Sequence, residues 1–127
     1  MRGRVAVAIM VVSLVLGVPV RAASLHPRLL KAAPAADSRS AEATKEVALT
    51  FNEPLDLALT RVTVLRGTSA VALQPLRLAP ADDKTVLATA TAPFPVGRYV
   101  VRWQVTGDDG HPVKGEYRFE IIAASGR

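Results

Sequence analysis

The stretch RYVVRWQV, residues 98–105, alternates between one wholly apolar or aromatic face and a second, mostly polar face. A few residues later, EYRFEII, residues 116–122, repeats the pattern. Successive side chains of a β-strand point to opposite sides, so each stretch predicts a strand that buries one face. Two such strands close together in sequence predict antiparallel neighbours on a shared core. The residues of the two apolar faces are Tyr99, Val101, Trp103, Val105, Tyr117, Phe119 and Ile121.

Weaker signals of the same kind precede this pair. Residues 47–51 and 61–64 alternate, and residues 85–90 are β-prone and follow a turn-forming PADDK at residues 80–84. Residues 41–45 allow a brief turn, and no convincing helical period occurs after residue 25. Six or seven short strands in about 100 residues predict an all-β, immunoglobulin-like sandwich. A small closed barrel is the competing architecture.

The N-terminus predicts a secretory signal rather than part of this domain. Arg2 and Arg4 precede an apolar run at residues 5–20, and a zone rich in small residues follows at residues 21–24. This is the order of the charged, apolar and cleavage regions of a signal peptide. A retained membrane anchor is the alternative, but the run is shorter than the ~20 residues that a span needs. We therefore predict a cleaved signal at residues 1–25 and one domain at residues 26–127.

The composition of residues 26–127 excludes several classes of function. The whole chain has 16 basic and 11 acidic residues, and three arginines leave with the signal, so the net charge falls from +5 to +2. The remaining basic residues are scattered in sequence, and nucleic-acid binding is not predicted. There is no cysteine, which excludes disulfides and thiolate zinc sites. Both methionines, Met1 and Met10, belong to the predicted signal.

The loop between the two strongest predicted strands contains an aspartate and a histidine. In TGDDGHPVKG, residues 106–115, Asp109 and His111 stand two apart around Gly110. Residues two apart in an extended backbone point to the same side, and Pro112 favours an extended His111. Cu(II) and Zn(II) both accept carboxylate and imidazole ligands. The alternative is an ordinary Asp-Gly hairpin turn with a solvated histidine.

The second histidine of the chain, His26, directly follows the predicted signal. A mature chain that begins there offers its α-amino nitrogen and its imidazole to one metal ion. Signal cleavage prefers small residues, however, and Leu25 is a poor residue to leave at the cut. Starts at Ala23 or Leu25 therefore stay open. A start at Ser24 would place His26 third, where it can bind Cu(II) together with the amine and two amide nitrogens, without the loop.

Several motifs spread over residues 26–127 occur together in one known family. They are His26, Pro27, Leu29, Pro34, Ala35, LTFNEP at 49–54, GRYVVRW at 97–103, DGHPVKG at 109–115, Tyr117 and Phe119. With these residues the sequence resembles the CopC family of periplasmic copper-resistance proteins over essentially all of residues 26–127. This resemblance implies a Greek-key β-barrel or sandwich that binds Cu(II) without catalysis. It also implies a partner of the CopD type, an inner-membrane protein.

The resemblance also assigns the copper ligands, which are His26, Asp109 and His111. It places Glu53 near the site in some members, although Glu53 is equally well interpreted as a solvated charge at a strand end. Three nitrogens and one carboxylate oxygen suit the tetragonal preference of Cu(II), so we expect one Cu(II) per chain. Some family members hold Cu(I) with methionines, and residues 26–127 have no soft ligand for such a site. Trp103 shares the apolar face of the strand that leads into the loop, so it is expected to be a core residue near the metal. Its indole nitrogen is a donor only and cannot act as a ligand.

The function expected from this reading is a periplasmic, monomeric Cu(II)-binding protein that sequesters, buffers or delivers copper. One alternative is a copper oxidase or monooxygenase, since sites made of an amine and two histidines also occur in such enzymes. The anionic ligand Asp109 should favour Cu(II) and discourage redox cycling, so no enzymatic activity is expected. The other alternative is a metal-free immunoglobulin-like interaction module.

Overall fold

The computed structural model describes Gly17 and residues 26–125, and it is nearly all β. Nine strands occur in this part of the chain, and two of them, β2 and β5, have only two residues each. Seven longer strands remain, in line with the sequence prediction. The strands are β1 (Leu29–Ala33), β2 (Arg39–Ser40), β3 (Glu46–Phe51), β4 (Arg61–Arg66), β5 (Ser69–Ala70), β6 (Arg77–Ala79), β7 (Asp82–Thr89), β8 (Gly97–Thr106) and β9 (Pro112–Ile121).

The strands form two sheets, as the sandwich prediction requires. One sheet has the order β1-β3-β7-β6, and the other has the order β2-β9-β8-β4-β5. All neighbours are antiparallel except β2 and β9, which run parallel. The longest ladder joins β8 to β9 in an unbroken register from Gly97↔Ile121 to Thr106↔Pro112. This ladder ends at the loop that contains the predicted metal ligands.

The core lies between the sheets and confirms the predicted faces of β8 and β9. Six of the seven residues named from the sequence are buried, and Trp103 is half-buried against the core. The Trp103 ring packs edge-on against Phe51 of β3, with 5.1 Å between the ring centroids. It also lies over Gly115, its partner across the β8–β9 ladder. Trp103 thus joins the two sheets at the loop end of the sandwich.

The sequence pattern was less accurate for the shorter elements. β1 and β6 carry no clear alternation and were not predicted. β7 begins at Asp82 rather than Thr85, because the preceding turn is compressed around Ala81, which has a φ of +56°. Residues 41–45 form no helical turn; the chain there is a loop with a bend at Glu42.

A single short 3₁₀ helix, Leu57–Leu59, is the one helical element among the described residues. The Asp56 carboxylate caps it by accepting a hydrogen bond from the amide of Ala58. Within the described part of the chain, no helix has the length and apolar character to cross a membrane. The predicted signal at residues 1–25 lies outside the described residues, apart from Gly17.

Candidate metal centre

The candidate metal centre lies at the end of the sandwich where β8 and β9 are joined by residues 107–111. The amide of Gly110 donates a hydrogen bond to the carbonyl of Gly107 and closes a tight turn, with a distance of 3.1 Å. Gly110 has a φ of +76°, a left-handed conformation that favours glycine. The turn leaves Asp109 and His111 side by side at the tip.

The Asp109 carboxylate lies between the side chains of His111 and His26. The amide of His111 donates to Asp109 Oδ1 over 3.1 Å, and His111 Nδ1 lies 3.2 Å from Oδ2. His26 approaches from the far end of the domain sequence, and its Nδ1 lies 3.3 Å from the same Oδ2. The two imidazole rings are 6.3 Å apart, centroid to centroid, in an edge-on arrangement. All three residues named from the sequence therefore lie together.

The electrostatics of the group keep its carboxylate ionised. The pKa of Asp109 is lowered chiefly by the hydrogen bond from the His111 amide, against an opposing contribution from desolvation. The Asp109 side chain is only 16% exposed, whereas those of His26 and His111 are 62% and 75% exposed. A fixed anion thus lies beneath two imidazoles that solvent can reach.

The arrangement is not yet a coordination sphere. In residues 26–125, no group of three or more histidine, cysteine, aspartate and glutamate side chains is arranged to hold a metal ion. Both Nδ1 atoms lie within 3.3 Å of the same Asp109 oxygen, Oδ2. The donor types themselves, two imidazoles and one carboxylate, suit Cu(II).

Glu53 lies directly behind the loop. A Cβ on Gly107 would lie 2.5 Å from Glu53 Oε1 and 3.0 Å from Pro27 Cγ, so a larger residue would displace the Glu53 carboxylate. Glu53 Oε1 is buried and has no hydrogen-bond partner among residues 26–125. The residue as a whole is partly exposed, and its role beside the site stays a prediction. A buried, unpaired carboxylate oxygen is costly, and beside a candidate metal centre it is available to a water molecule or an ion.

Two residues that position the N-terminal segment were not identified from the sequence. The amide of Arg28 donates to the side chain of Asn52 over 2.6 Å, and the Asn52 amide donates to the Arg28 carbonyl over 3.0 Å. This reciprocal pair fixes the backbone two residues after His26 to the end of β3. Asn52 lies in the LTFNEP stretch, but it bonds to the backbone amide and carbonyl of Arg28. Every residue has these backbone groups, so the sequence does not reveal the pairing.

Comparison with known proteins identifies the family. Residues 29–122 match the family model described as the CopC domain. The chain belongs to the CopC family. It is 35% identical over 121 residues to Copper resistance protein C of Escherichia coli, covering 90% of this chain and 94% of that protein. It is 28% identical over 102 residues to Copper resistance protein C of Xanthomonas campestris pv. juglandis, covering 76% and 80% respectively.

Solved CopC structures have the same fold. The crystal structure of CopC from Methylosinus trichosporium OB3b superposes with a TM-score of 0.71 at 27% identity, over 80% of this chain and 99% of that one. PcoC, a methionine-rich copper resistance protein from Escherichia coli, gives a TM-score of 0.68 at 30% identity, over 76% and 99%. The predicted resemblance to the CopC family is therefore confirmed.

Proposed function

We propose that this chain is a periplasmic Cu(II)-binding protein that sequesters, buffers or delivers copper, with one Cu(II) per chain. The observation that carries the proposal is the approach of His26 and His111 to a single carboxylate oxygen of Asp109. Membership of a family whose named members are copper resistance proteins supports the choice of metal. The ion is cargo, and the chain supplies its ligands.

The ligands proposed are Asp109, His111 and His26, the last acting through both its ring and its α-amino nitrogen. Cleavage after Leu25 would free that amine next to the group described above. The resulting set of three nitrogens and one anionic oxygen matches the tetragonal preference of Cu(II). Glu53 is proposed to act from behind the loop, by accepting a hydrogen bond from a metal-bound water or the freed amine. Such supporting contacts typically affect metal affinity by about 10- to 100-fold.

The site should select Cu(II) over Cu(I). Thioether and thiolate ligands favour Cu(I), and residues 26–127 contain neither methionine nor cysteine. The Escherichia coli relative PcoC is described as methionine-rich, so this chain differs from it in that respect. Competition with a Cu(I)-specific chelator after reduction should show rapid loss of the metal. Retention of Cu(I) against the chelator would refute Cu(II) selectivity.

The proposed role is binding, without catalysis. The two exposed rings would allow a partner protein to approach the ion directly, and a CopD-type inner-membrane protein is the proposed recipient. A site with an amine and two histidines could also support oxidase chemistry, but the anionic Asp109 ligand would stabilise Cu(II) against reduction. Turnover assays with copper, a reductant and oxygen should therefore show no more activity than free copper. Copper-dependent turnover that requires His111 would favour the oxidase instead.

The proposed N-terminus can be measured independently of the metal. Intact-mass analysis of protein isolated from its native compartment should give the mass of residues 26–127. A start at Leu25, Ser24 or Ala23 would remove the amine from its proposed position. In that case Asp109 and His111 would remain as a weaker pair, or the N-terminal segment would bind copper by itself.

A Cu(II) titration of the chain that begins at His26 tests the proposal as a whole. Trp103 is the sole tryptophan and lies on the strand that leads into the loop, so its fluorescence should be quenched by bound Cu(II). Quenching should end at one equivalent. The absence of any binding in a competition assay would instead support a metal-free interaction module.

A further inference from the structure

The outer face of the β2-β9-β8-β4 part of the larger sheet gathers basic residues that are far apart in the sequence. The strand register aligns its outward side chains in rows, each row crossing neighbouring strands. Six basic residues and two acidic ones lie in these rows, so the face alone carries a net charge of +4. The rows are Arg61–Gln104–Lys114, Thr63–Arg102–Glu116, Leu65–Val100–Arg118 and Arg98–Glu120–Arg39.

Only part of this charge is neutralised within the face. Arg102 pairs with Glu116 over 3.2 Å, and Arg39 pairs with Glu120 over 3.1 Å. The other four cations have no ion-pair partner in the part of the chain that the structure describes; they are Arg61, Arg98, Lys114 and Arg118. All four are exposed. One acidic side chain, that of Asp37, lies at the edge of the face next to β2.

The rest of the domain does not share this character. Residues 26–127 have a net charge of +2, so everything outside the face sums to −2. On the opposite sheet, Arg77 is paired with Glu46 over 3.0 Å. The domain is therefore electrostatically asymmetric, with one cationic side. Such a side attracts an extended anionic surface and orients the domain on it.

The chemistry of the face favours a lipid surface over a protein surface. Protein interfaces are anchored by buried aromatic or large apolar residues, and these lie in a centre that is depleted of charged residues. The exposed large apolar residues of the described chain are Leu30, Leu59 and Val96, and none of them belongs to the rows. Adsorption to anionic lipid headgroups requires only basic residues near the membrane plane.

We propose that this face, defined by Arg61, Arg98, Lys114 and Arg118, adsorbs the domain to bilayers that contain anionic lipids. The loop at residues 107–111 extends β8 and β9 beyond the last row, so adsorption would leave it at the edge of the contact. The metal centre would then lie near the membrane plane and stay uncovered. The proposal does not depend on copper binding, and either one can fail without the other.

The test is co-sedimentation of the chain that begins at His26 with vesicles of 30% phosphatidylglycerol in phosphatidylcholine or of phosphatidylcholine alone. This chain contains both sheets and the core, and it lacks the apolar run at residues 5–20, which would itself bind lipid. We expect binding to the anionic vesicles in low salt. Binding should be lost above physiological salt, because added salt shortens the Debye length and screens the attraction between the face and the lipid headgroups.

The decisive variant is Arg98→Gln/Lys114→Gln/Arg118→Gln. Each basic residue near an anionic surface contributes about a factor of five, so the partition coefficient should fall by about 100-fold. The matched control is Lys31→Gln/Lys45→Gln/Lys84→Gln, which removes the same charge from exposed positions on or beside the other sheet. The two triple variants are compared at about 0.1 M salt, where the Debye length is about 10 Å. Packed sheets are also about 10 Å apart, so charges on the far sheet are largely screened and the control should lose much less binding than the decisive variant.

Three results would overturn the proposal. They are no binding to anionic vesicles in low salt, equal losses in the two triple variants, and binding to polyglutamate but not to vesicles. The last result would assign the face to an acidic protein. Arg98→Lys/Arg118→Lys should bind like the wild type, and circular dichroism should show that every variant is folded.

Discussion

The β8–β9 ladder and the loop that joins its strands are adjacent in sequence, yet they depend on different interactions. The ladder has ten paired positions, with Tyr99, Val101, Val105 and Phe119 buried in the core. The loop has exposed imidazoles around one carboxylate and a glycine in a left-handed conformation. Substitutions in the ladder should therefore lower the free energy of unfolding and change Cu(II) affinity little. Substitutions in the loop should weaken Cu(II) binding and change the free energy of unfolding less.

The largest effect is expected at Trp103, on the ladder. Trp103→Ala removes the ring that packs on Phe51 and covers Gly115, so it should lower the free energy of unfolding by roughly 3–5 kcal/mol. Urea titration followed by circular dichroism measures this change. The control is Gln104→Ala, a neighbour on the outer face, which should cost less than about 0.5 kcal/mol. Equal effects would mean that Trp103 does not anchor the core.

The next effect is expected in the loop. Asp109→Ala removes a proposed ligand and should weaken Cu(II) binding by more than about 100-fold, beyond the range typical of supporting residues. Asp108→Ala is the matched control, because it removes the same charge from the same loop at an exposed position. Chelator competition gives both affinities. Similar losses in the two variants would reduce the role of Asp109 to general electrostatic attraction.

Gly115 should behave as a ladder residue although it lies near the loop. A Cβ there would lie 2.1 Å from the nearest Trp103 ring atom, so the indole would have to move. Gly115→Ala should therefore cost about 1–3 kcal/mol of stability, in the range of overpacked cores. Cu(II) affinity, measured on the folded variant, should stay within about threefold of the wild type. A variant with full stability would contradict the close packing.

The smallest effect on stability is expected at Gly110, the loop counterpart of Gly115. A Cβ at Gly110 would meet no atom of the described residues within 4 Å, so the left-handed backbone is what opposes the change. Gly110→Ala should cost about 1 kcal/mol, and the shifted turn should weaken Cu(II) binding more than Gly115→Ala does. A Cu(II) affinity that is lower in Gly115→Ala than in Gly110→Ala would show that ladder and loop do not have these separate roles.

The sequence predicted the apolar faces of the ladder well, because they are large and alternate clearly. It was wrong about the start of β9, which begins at Pro112 rather than Glu116, because residues 112–115 pair with β8 despite their proline and glycine. It failed at β1 and β6, where small or polar side chains leave no period, and at the start of β7, where tight turn geometry decides the boundary. Neighbour relations in a sheet depend on tertiary pairing, so the cationic face is not visible in a sequence whose basic residues are scattered.

The sequence predicted which residues belong to the candidate site, but it did not predict how they are arranged in space. Asp109 and His111 are two apart, so their proximity follows from local geometry. The approach of His26 depends on the reciprocal bonds between Arg28 and Asn52, which no local pattern reveals. The unpaired oxygen of Glu53 beside Gly107 likewise appears only in three dimensions. That the three residues bind copper stays a prediction.

Paramagnetic resonance of the Cu(II)-loaded chain that begins at His26 reports directly on the atoms that bind the metal. The proposed set predicts a tetragonal spectrum with hyperfine coupling to three nitrogens: the amine and the rings of His26 and His111. In His111→Ala, the coupling should fall to two nitrogens and the affinity should drop. An unchanged spectrum and affinity in that variant would contradict the account and place the metal outside the loop.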